Sequence, residues 1–241
     1  MQLTNNKILI TGGGTGIGLG ITERFLQEGN TIIVCGRRKD VLENLQKKHP
    51  SVIIKQCDVS IESQREKLFD WINNNHDDVN VLINNAGIQN WMNVTDEDFF
   101  QRAKQELAIN IEGPIHLTSL FIKLKSLKTI INVTSGLSFC PLSKVAVYSA
   151  TKAFFHSFTL SMQKVLQQKG IEVIELIPPA INTDLGGKGL HNYAPPVSDL
   201  IASVFEQLQQ GKKTLTFGMS EAMLQAGPEE IKIAFERMNS Q

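Results

Sequence analysis

The sequence predicts an α/β fold in which one doubly wound parallel sheet carries helices on both faces. Seven short apolar runs rich in β-branched residues recur along the 241-residue chain, separated by stretches whose apolar residues have helical spacing. Strands that are apolar at every position are typical of a parallel sheet buried on both sides. No Pro- or Ser-rich linker, internal repeat or low-complexity block interrupts the alternation. We therefore expect one domain over residues 1–241.

The individual elements follow from these runs. The predicted strands are KILIT (7–11), TIIVC (31–35), SVIIK (51–55), VNVLIN (79–84), KTIINVTS (128–135), IEVIELI (171–177) and TLTF (214–217). Helices are predicted over residues 17–27, 63–72, 99–124, 146–166 and 200–208. Near the C-terminus an i, i+3, i+4, i+7 pattern predicts a last helix that packs on its own domain or on a second subunit; its residues are Ile231, Ala234, Phe235 and Met238.

Composition excludes several classes of function. The 24 basic and 24 acidic residues balance to a net charge of +0, which argues against a nucleic-acid partner or an anionic membrane surface. The three cysteines are odd in number and widely spaced, so we expect neither a disulfide framework nor a metal site. The N-terminal residues lack a signal-peptide pattern, and no apolar run has membrane-spanning length. These features predict a cytoplasmic protein.

A glycine-rich turn follows the first strand. Residues 11–18 read TGGGTGIG, with Gly12, Gly16 and Gly18 placed where the chain turns from strand to helix. At such a turn a diphosphate can approach the backbone and meet the amide groups of the helix start. The turn predicts nucleotide binding in a Rossmann-type domain, although its spacing differs from G-x-G-x-x-G and a turn without a ligand is the alternative.

The end of the second strand bears on the choice of cofactor. An acidic residue there usually marks NAD by binding the ribose 2′-hydroxyl. Here Gly36 stands at that position, and Arg37 and Arg38 follow. A guanidinium suits a 2′-phosphate by charge and by paired hydrogen bonds. NADP(H) is therefore favoured over NAD(H), unless both arginines are ordinary surface charges at the start of the next helix.

One helical pair carries candidate proton chemistry. Tyr148 and Lys152 lie four residues apart in YSATK and would share a helix face. A phenol beside an ammonium is a plausible proton donor, whereas the alternative is a solvated pair on a helix surface.

Taken together, the motifs resemble the short-chain dehydrogenase/reductase family over about residues 5–220. The resemblance rests on an ordered set: the glycine loop, Asp58-Val59, Asn84-Asn85-Ala86-Gly87, Asn110, and Ser135 thirteen residues before Tyr148. Three further segments are similar to the DltE-type oxidoreductases named after the teichoic-acid D-alanylation operon: SGLSF (135–139), YSATKA (148–153) and ELIPPAINTDL (175–185).

The resemblance implies a role for each matching residue. Tyr148 would be the general acid or base, Lys152 would lower the pKa of its phenol and hold the ribose, and Ser135 would bind the substrate oxygen. Asn110 would anchor a water that links Lys152 to solvent. The implied cofactor-binding residues are Gly12, Thr15, Gly16, Ile17, Gly18, Arg37, Asp58, Val59, Asn85, Ala86, Gly87, Tyr148, Lys152, Ile181 and Thr183.

Two departures from the family pattern affect the cofactor site. Pro179 stands where most members have glycine, which fixes φ and removes an amide donor. Thr15 stands where many NADP-preferring members carry a base, which leaves the 2′-phosphate chiefly to Arg37.

The family also implies a substrate lid at about residues 184–200 and a homodimer or homotetramer in which the helices after the fourth and fifth strands pair. The pocket would be bordered by Trp91, Met92, Leu137, Phe139, Leu185 and Tyr193. These residues favour an apolar or aromatic carbonyl substrate. His156 is expected on a helix surface or a subunit contact, Cys140 in the pocket wall, and His191 either at the substrate or exposed in its loop.

Three functions fit these patterns. The first is an NADP-dependent oxidoreductase that interconverts a small-molecule alcohol and a carbonyl. The second is a nucleotide-sensing module on the same fold, but such a module has no need of the Ser135–Tyr148–Lys152 set. The third is an epimerase or dehydratase of the extended branch, for whose sugar-nucleotide domain the chain beyond residue 180 leaves little room.

Overall fold

Seven parallel strands form one sheet with the order β3-β2-β1-β4-β5-β6-β7 in a computed structural model that describes residues 1–240. The strands are β1 (Lys7–Thr11), β2 (Thr31–Gly36), β3 (Ile53–Gln56), β4 (Val81–Asn84), β5 (Thr129–Val133), β6 (Glu172–Ile177) and β7 (Thr214–Thr216). The order reverses between β1 and β4, as it does in doubly wound nucleotide-binding sheets. The predicted fold class is confirmed.

Helices cover both faces of the sheet. They are α1 (Gly16–Gln27), α2 (Lys39–Lys48), α3 (Glu62–Asn75), α4 (Phe99–Leu107), α5 (Gly113–Phe121), α6 (Ala146–Gln167), α7 (Val197–Gln209), α8 (Met219–Gln225) and α9 (Pro228–Asn239). Side chains alternate between the two faces along each strand. Ile8 and Ile10 therefore pack with α1, α2 and α7, whereas Leu9, between them, packs with α3 and α5.

The helix predicted over residues 99–124 contains a break that its apolar pattern does not reveal. One π-helical turn, Ala108–Glu112, separates α4 from α5. Such a turn inserts a residue into the helical ladder and often marks a functional site. Here it carries Asn110.

The last helix packs on its own domain, the first of the two predicted alternatives. The Asn239 side chain accepts a hydrogen bond from Ser143 N and donates one to Pro141 O. The Cys140 thiol lies 3.5 Å from Met238 Sδ. Cys140 is buried against α9 and is not among the residues that line the cleft, so the prediction that it belongs to the pocket wall is wrong.

Among residues 1–240, no helix combines the length and the apolar character that a bilayer crossing requires.

Candidate active site

A cleft of about 1200 Å³ opens at the carboxyl edge of the sheet, beside the point where the strand order reverses. Ligands of open α/β sheets bind at this place because two neighbouring strands send their loops in opposite directions. The cleft runs from Arg37 and Asp58 at one end, past the glycine loop, to Tyr148 and Lys152.

The glycine loop has the backbone that a close approach to a ligand requires. Gly12 and Gly16 have φ angles of +67° and +53°, in the left-handed region that favours glycine. A Cβ on Gly18 would lie 2.3 Å from Gly12 O and 2.4 Å from Asn85 Nδ2. Any side chain at this position would thus push the start of α1 away from the loop. The loop fits the diphosphate of a dinucleotide, whose charge the amide groups at the helix start would offset.

Hydrogen bonds fasten this loop to the end of β4. Asn85 Nδ2 donates to Thr11 O (2.9 Å) and Gly12 O (3.2 Å). In return, Thr11 Oγ1 accepts from Asn85 N and Ala86 N, both at 3.0 Å. The side chains of Asn85 and Thr11 therefore hold the two walls of the cleft together at its centre.

Two exposed arginines stand at the far end of the cleft. Arg37 and Arg38 both line it, and Arg38 Nη2 lies 3.4 Å from Thr15 Oγ1. Thr15 occupies the position where the family pattern often has a base. Arg38 therefore supplies to this part of the loop the positive charge that Thr15 lacks.

The proton-transfer candidates meet at the other end. Tyr148 and Lys152 lie on one face of α6, with Lys152 Nζ 5.6 Å from the centre of the Tyr148 ring. Lys152 Nζ donates to Val133 O (2.9 Å), at the end of β5, and burial lowers its pKa to about 8. Ser135 follows β5, and its side chain lies close enough to the Tyr148 hydroxyl to lower the pKa of that phenol.

Burial is the main influence on the pKa of the Tyr148 phenol. It raises this pKa, and the Ser135 side chain only partly opposes the effect. The Glu106 carboxyl raises it further. Because desolvation disfavours the charged form, these influences favour the neutral phenol, and the predicted lowering of its pKa by Lys152 stays a prediction.

Asn110 uses its whole amide group to hold the loop after β4. Its Oδ1 accepts from Ile88 N (2.9 Å), and its Nδ2 donates to Ile88 O (2.9 Å) and Thr151 Oγ1 (3.2 Å). The side chain thus ties that loop to α6, one residue before Lys152. The predicted role as a water anchor stays a prediction, and the contacts seen are those of a positioning residue.

Most of the predicted cofactor-binding residues line the cleft. They are Gly12, Thr15, Gly16, Ile17, Gly18, Arg37, Asp58, Val59, Asn85, Ala86, Gly87, Tyr148, Lys152 and Thr183. Ile181 instead lies in the core with 3% of its surface exposed. Ser135 and Asn110 are buried just behind the wall.

The predicted pocket border is correct only in part. Leu185 lines the cleft, but Tyr193 is 80% exposed and Trp91 is 40% exposed. The last residues of the expected lid, 197–200, form the first turn of α7. The rest of that segment is irregular and touches the loop after β4, where Gly186 approaches the side chains of Gln89 and Trp91.

Several polar residues escaped the sequence analysis. Gln89 and Asn90 line the cleft, and the carboxyl of Glu106, one turn before Asn110, is wholly buried behind them. Asn90 N donates to Glu106 Oε1. The only available signal was the spacing of Glu106 and Asn110, which places both on one face of a helix.

The expected helix-surface position of His156 is only partly correct, because the ring is half-buried and meets a buried carboxylate. Its Nδ1 lies 2.9 Å from Oε1 of Glu175, a fully buried residue of β6. The same oxygen accepts from Thr134 Oγ1 at 2.7 Å. This network lies directly behind Ser135. His191 is 8% exposed, so the expectation of an exposed loop residue fails for it as well.

One group with metal-ligand chemistry lies outside the cleft. Glu62 and Glu66 of α3 approach His116 of α5. However, Arg65 Nε donates to His116 Nδ1 at 3.0 Å, which leaves the proton of the neutral ring on Nε2. A protonated nitrogen cannot bind a metal, and Arg65 adds a positive charge at the same place.

The fold and cleft define a class of nucleotide-dependent oxidoreductase, and comparison with known proteins agrees. The sequence matches the short chain dehydrogenase family over residues 6–193 and belongs to that family. The chain is accordingly a NAD(P)-dependent dehydrogenase or reductase. It is 38% identical to an uncharacterized oxidoreductase, DltE of Bacillus subtilis (strain 168), over 252 aligned residues that cover 100% of this chain and 99% of the relative. The predicted likeness to the DltE type is confirmed.

Two solved structures share the fold. A short chain dehydrogenase from Burkholderia cenocepacia J2315 in complex with NADP superposes with a TM-score of 0.85 at 25% identity, covering 99% of each chain. A short chain dehydrogenase/reductase from Burkholderia phymatum in complex with NAD has a TM-score of 0.81 at 18% identity, covering 97% of this chain and 96% of the other.

Gly186→Ala should loosen the contact between the segment after β6 and the loop after β4. A Cβ there would lie 2.7 Å from Gln89 Oε1 and 3.0 Å from Trp91 Nε1. We expect hydrogen exchange over residues 184–194 to quicken by about tenfold, which corresponds to a loss of about 1.4 kcal/mol.

Gly189→Ala is the matched control for this variant. Its φ of +82° equals the +80° of Gly186 within two degrees, but the nearest atom to its Cβ would be 3.5 Å away. Equal exchange in the two variants would show that backbone strain, rather than contact with Gln89 and Trp91, controls the segment.

Proposed function

We propose that this protein interconverts an alcohol and a carbonyl compound, with Tyr148 as general acid and base. The observation that carries the proposal is that Tyr148 and Lys152 line one end of the cleft, with Ser135 close to the Tyr148 hydroxyl. A phenol, a hydroxyl donor and an ammonium are the groups that a proton transfer coupled to hydride movement requires.

The cleft fits a nicotinamide dinucleotide. Its glycine loop admits a diphosphate against the start of α1, and Thr183 lies across the loop from Gly16, its methyl carbon 3.3 Å from where a Cβ on that glycine would be. When bound, the cofactor supplies or accepts the hydride. The Asn85–Thr11 hydrogen bonds hold the walls that would receive it.

The residues of the chain would then control the proton. The neutral Tyr148 phenol donates its proton to the carbonyl oxygen during reduction and recovers it during oxidation. Ser135 donates a hydrogen bond to the same oxygen and stabilises the charge that develops there. Lys152, held by Val133 O, places its ammonium beside the phenol and the ribose site. Burial favours the protonated phenol, which is the form that donates the proton in the reductive direction.

NADP(H) is proposed as the preferred cofactor. No carboxylate stands at Gly36 to bind a ribose 2′-hydroxyl, and both following guanidinium groups line the cleft. Arg38 contacts Thr15 and so approaches the loop from the side where a 2′-phosphate would lie. Charge and paired hydrogen bonds then favour the phosphorylated ribose.

The segment 184–196 is proposed as the substrate lid. It begins at Thr183, where the nicotinamide end of the cofactor is proposed to lie, and its contact with Gln89 and Trp91 would close the cleft at the substrate end. Closure of this kind excludes water from the reacting atoms.

A homodimer or homotetramer is proposed as the assembly. Phe100 and Leu107 form an exposed apolar stripe on α4, and Phe154 and Val165 form another on α6. The two helices pack side by side on one face of the sheet. Pairing with a second copy about a two-fold axis would bury both stripes.

We expect NADPH to bind more tightly than NADH, and Arg37→Ala and Arg38→Ala each to reduce that preference. Loss of one charge-assisted contact costs about 1.5–3 kcal/mol, or roughly one to two orders of magnitude in affinity. Fluorescence titration of both cofactors against both variants measures the effect. Lys39→Ala, an exposed neighbour on α2, serves as the control for a general loss of positive charge. Equal wild-type affinities for the two cofactors would refute the preference.

Tyr148→Phe should greatly reduce turnover while NADPH still binds. The ring remains in its buried place and only the hydroxyl is lost, so general acid–base catalysis falls by about 10²–10⁴-fold. Lys152→Ala should weaken both turnover and cofactor affinity, and Ser135→Ala turnover alone. The measurement is NADPH consumption over a panel of aldehydes, ketones and keto acids. Near-normal activity of Tyr148→Phe would sink the mechanism. If the wild type binds NADPH but turns over no member of the panel, the alternative of a nucleotide-sensing module is favoured.

Phe154→Glu combined with Val165→Glu should dissociate the assembly. Two carboxylates on one stripe of α6 cannot be buried against a second copy without partners. Sedimentation velocity at micromolar concentration should show a multiple of 26.8 kDa for the wild type and a smaller species for the variant. Val94→Glu, at a 74% exposed loop position, is the control. A wild type that sediments only as a monomer would rule out the assembly.

A further inference from the structure

A chain of polar contacts joins β6 and α6 to the residue that precedes Ser135. The side chain of Glu175, on β6, has none of its surface exposed to solvent. Its Oε1 accepts a hydrogen bond from Thr134 Oγ1 at 2.7 Å. His156 Nδ1, on α6, lies 2.9 Å from the same oxygen and 3.1 Å from Oε2. These contacts therefore end one residue away from a group of the proposed mechanism.

The same network holds the Ser135 segment at two points. Before the serine, Thr134 is fixed by its hydrogen bond to the Glu175 carboxyl. After the serine, the Phe139 ring meets the His156 ring edge-on, with 4.7 Å between the ring centres. Ser135 lies between these two contacts, so both sides of the segment that carries its hydroxyl depend on the place of the imidazole.

His156 also stands on the same side of α6 as Tyr148 and Lys152. The three residues follow one another at intervals of four, which places them on successive turns of the helix. Lys152 Nζ donates to Val133 O at 2.9 Å, two residues before Ser135. His156 holds the next residue of the chain through its carboxylate partner. The helix that places the phenol therefore also fixes the end of the strand that leads to the serine.

Stability alone does not account for a carboxyl group at this place. A buried carboxylate is destabilising unless it is paired and hydrogen-bonded, and well-packed apolar residues of similar volume are often as stable as a buried ion pair. Among residues 1–240, the basic side chain that pairs with Glu175 is that of His156. The pair adds a fixed direction, because hydrogen bonds restrict geometry more than apolar contacts do.

We infer that His156 and Glu175 are positioning residues, which act through Thr134 to hold the Ser135 hydroxyl beside the Tyr148 phenol. The inference goes beyond the proposed function and rests on it for the roles of the serine and the tyrosine. Neither His156 nor Glu175 is among the residues that line the cleft. Their effect on the reaction therefore passes through the serine rather than through contact with a substrate.

His156→Leu tests the inference by kinetics. Leucine fills part of the volume of the ring and leaves the Glu175 carboxyl without its partner. We expect kcat for the best carbonyl compound of the panel to fall by about tenfold to a hundredfold, because a misplacement of about 1 Å can cost about 10²-fold. The affinity for NADPH should not change. His156→Asn keeps a donor close to the place of Nδ1 and should restore most of kcat.

Thr134→Val is the second variant, and it serves alone should His156→Leu not fold. Valine keeps the shape of the side chain and removes the hydroxyl that binds Glu175 Oε1, so kcat should fall in the same range. His76→Leu is the matched control for the loss of a half-buried ring. His76 meets the Trp71 ring edge-on at 4.6 Å, but it follows α3 at the amino edge of the sheet. Its replacement should leave kcat as it is.

A fluorine signal measures the same coupling without turnover. The chain has two tyrosines, so protein labelled with 3-fluorotyrosine should give two ¹⁹F resonances, which Tyr193→Phe assigns. The exposed Tyr193 serves as an internal reference. We expect Ser135→Ala, His156→Leu and Thr134→Val to shift the Tyr148 resonance in the same direction. His156→Asn should return it towards its wild-type position.

The outcomes separate this inference from the proposed function. Wild-type kcat and an unmoved Tyr148 resonance in folded His156→Leu and Thr134→Val overturn the positioning role, and so does a loss of kcat that His156→Asn does not restore. Turnover that still depends on Tyr148 then leaves the oxidoreductase mechanism standing. A wild type that turns over no carbonyl compound of the panel counts against the mechanism, whereas the fluorine shifts continue to test the coupling of His156 to Tyr148.

Discussion

The active site depends on a small set of hydrogen bonds between the ends of β1 and β4. Asn85 Nδ2 binds the carbonyl groups of Thr11 and Gly12, and Thr11 Oγ1 receives the N–H groups of Asn85 and Ala86. These two strands are neighbours only because the sheet reverses its order between them. The glycine loop and the loop that leads to Gln89 therefore leave the sheet in opposite directions at the point that these hydrogen bonds hold. The proposed cofactor and substrate sites would meet there.

Much of this arrangement was predictable from the sequence, because it follows from local rules. The seven apolar runs form the seven strands, because a strand that is covered on both faces is apolar at nearly every position. Glycine is required at position 18 because a Cβ there would lie 2.3 Å from Gly12 O. The spacing of the glycines in the sequence already indicated this requirement. Tyr148 and Lys152 share a face of α6 because of the helical repeat alone. In each case the cause lies within a few residues of the effect.

The remaining features have causes that are distant in sequence. The π-turn at Ala108–Glu112 coincides with the bonds from Asn110 to Ile88 and Thr151, which are 22 and 41 residues away. Glu106 has the spacing of a surface carboxylate, and only the packing of α4 under the loop after β4 buries it. His156 and Glu175 are 19 residues apart and meet behind Ser135. A single sequence does not indicate whether residues distant along the chain will bury a charged side chain.

Burial then sets the chemistry of these groups more than any single contact does. It raises the pKa of the Tyr148 phenol, lowers that of Lys152 to about 8 and raises that of Glu106 to about 7. All three shifts favour the neutral form, as desolvation requires. Glu106 is fully buried behind the wall of the cleft, so its carboxyl is held close to neutrality. When it is ionised, it favours the protonated form of Tyr148, because a nearby carboxylate opposes the phenolate. Retention of the proton on Tyr148 therefore depends on burial first and on this buried carboxyl second.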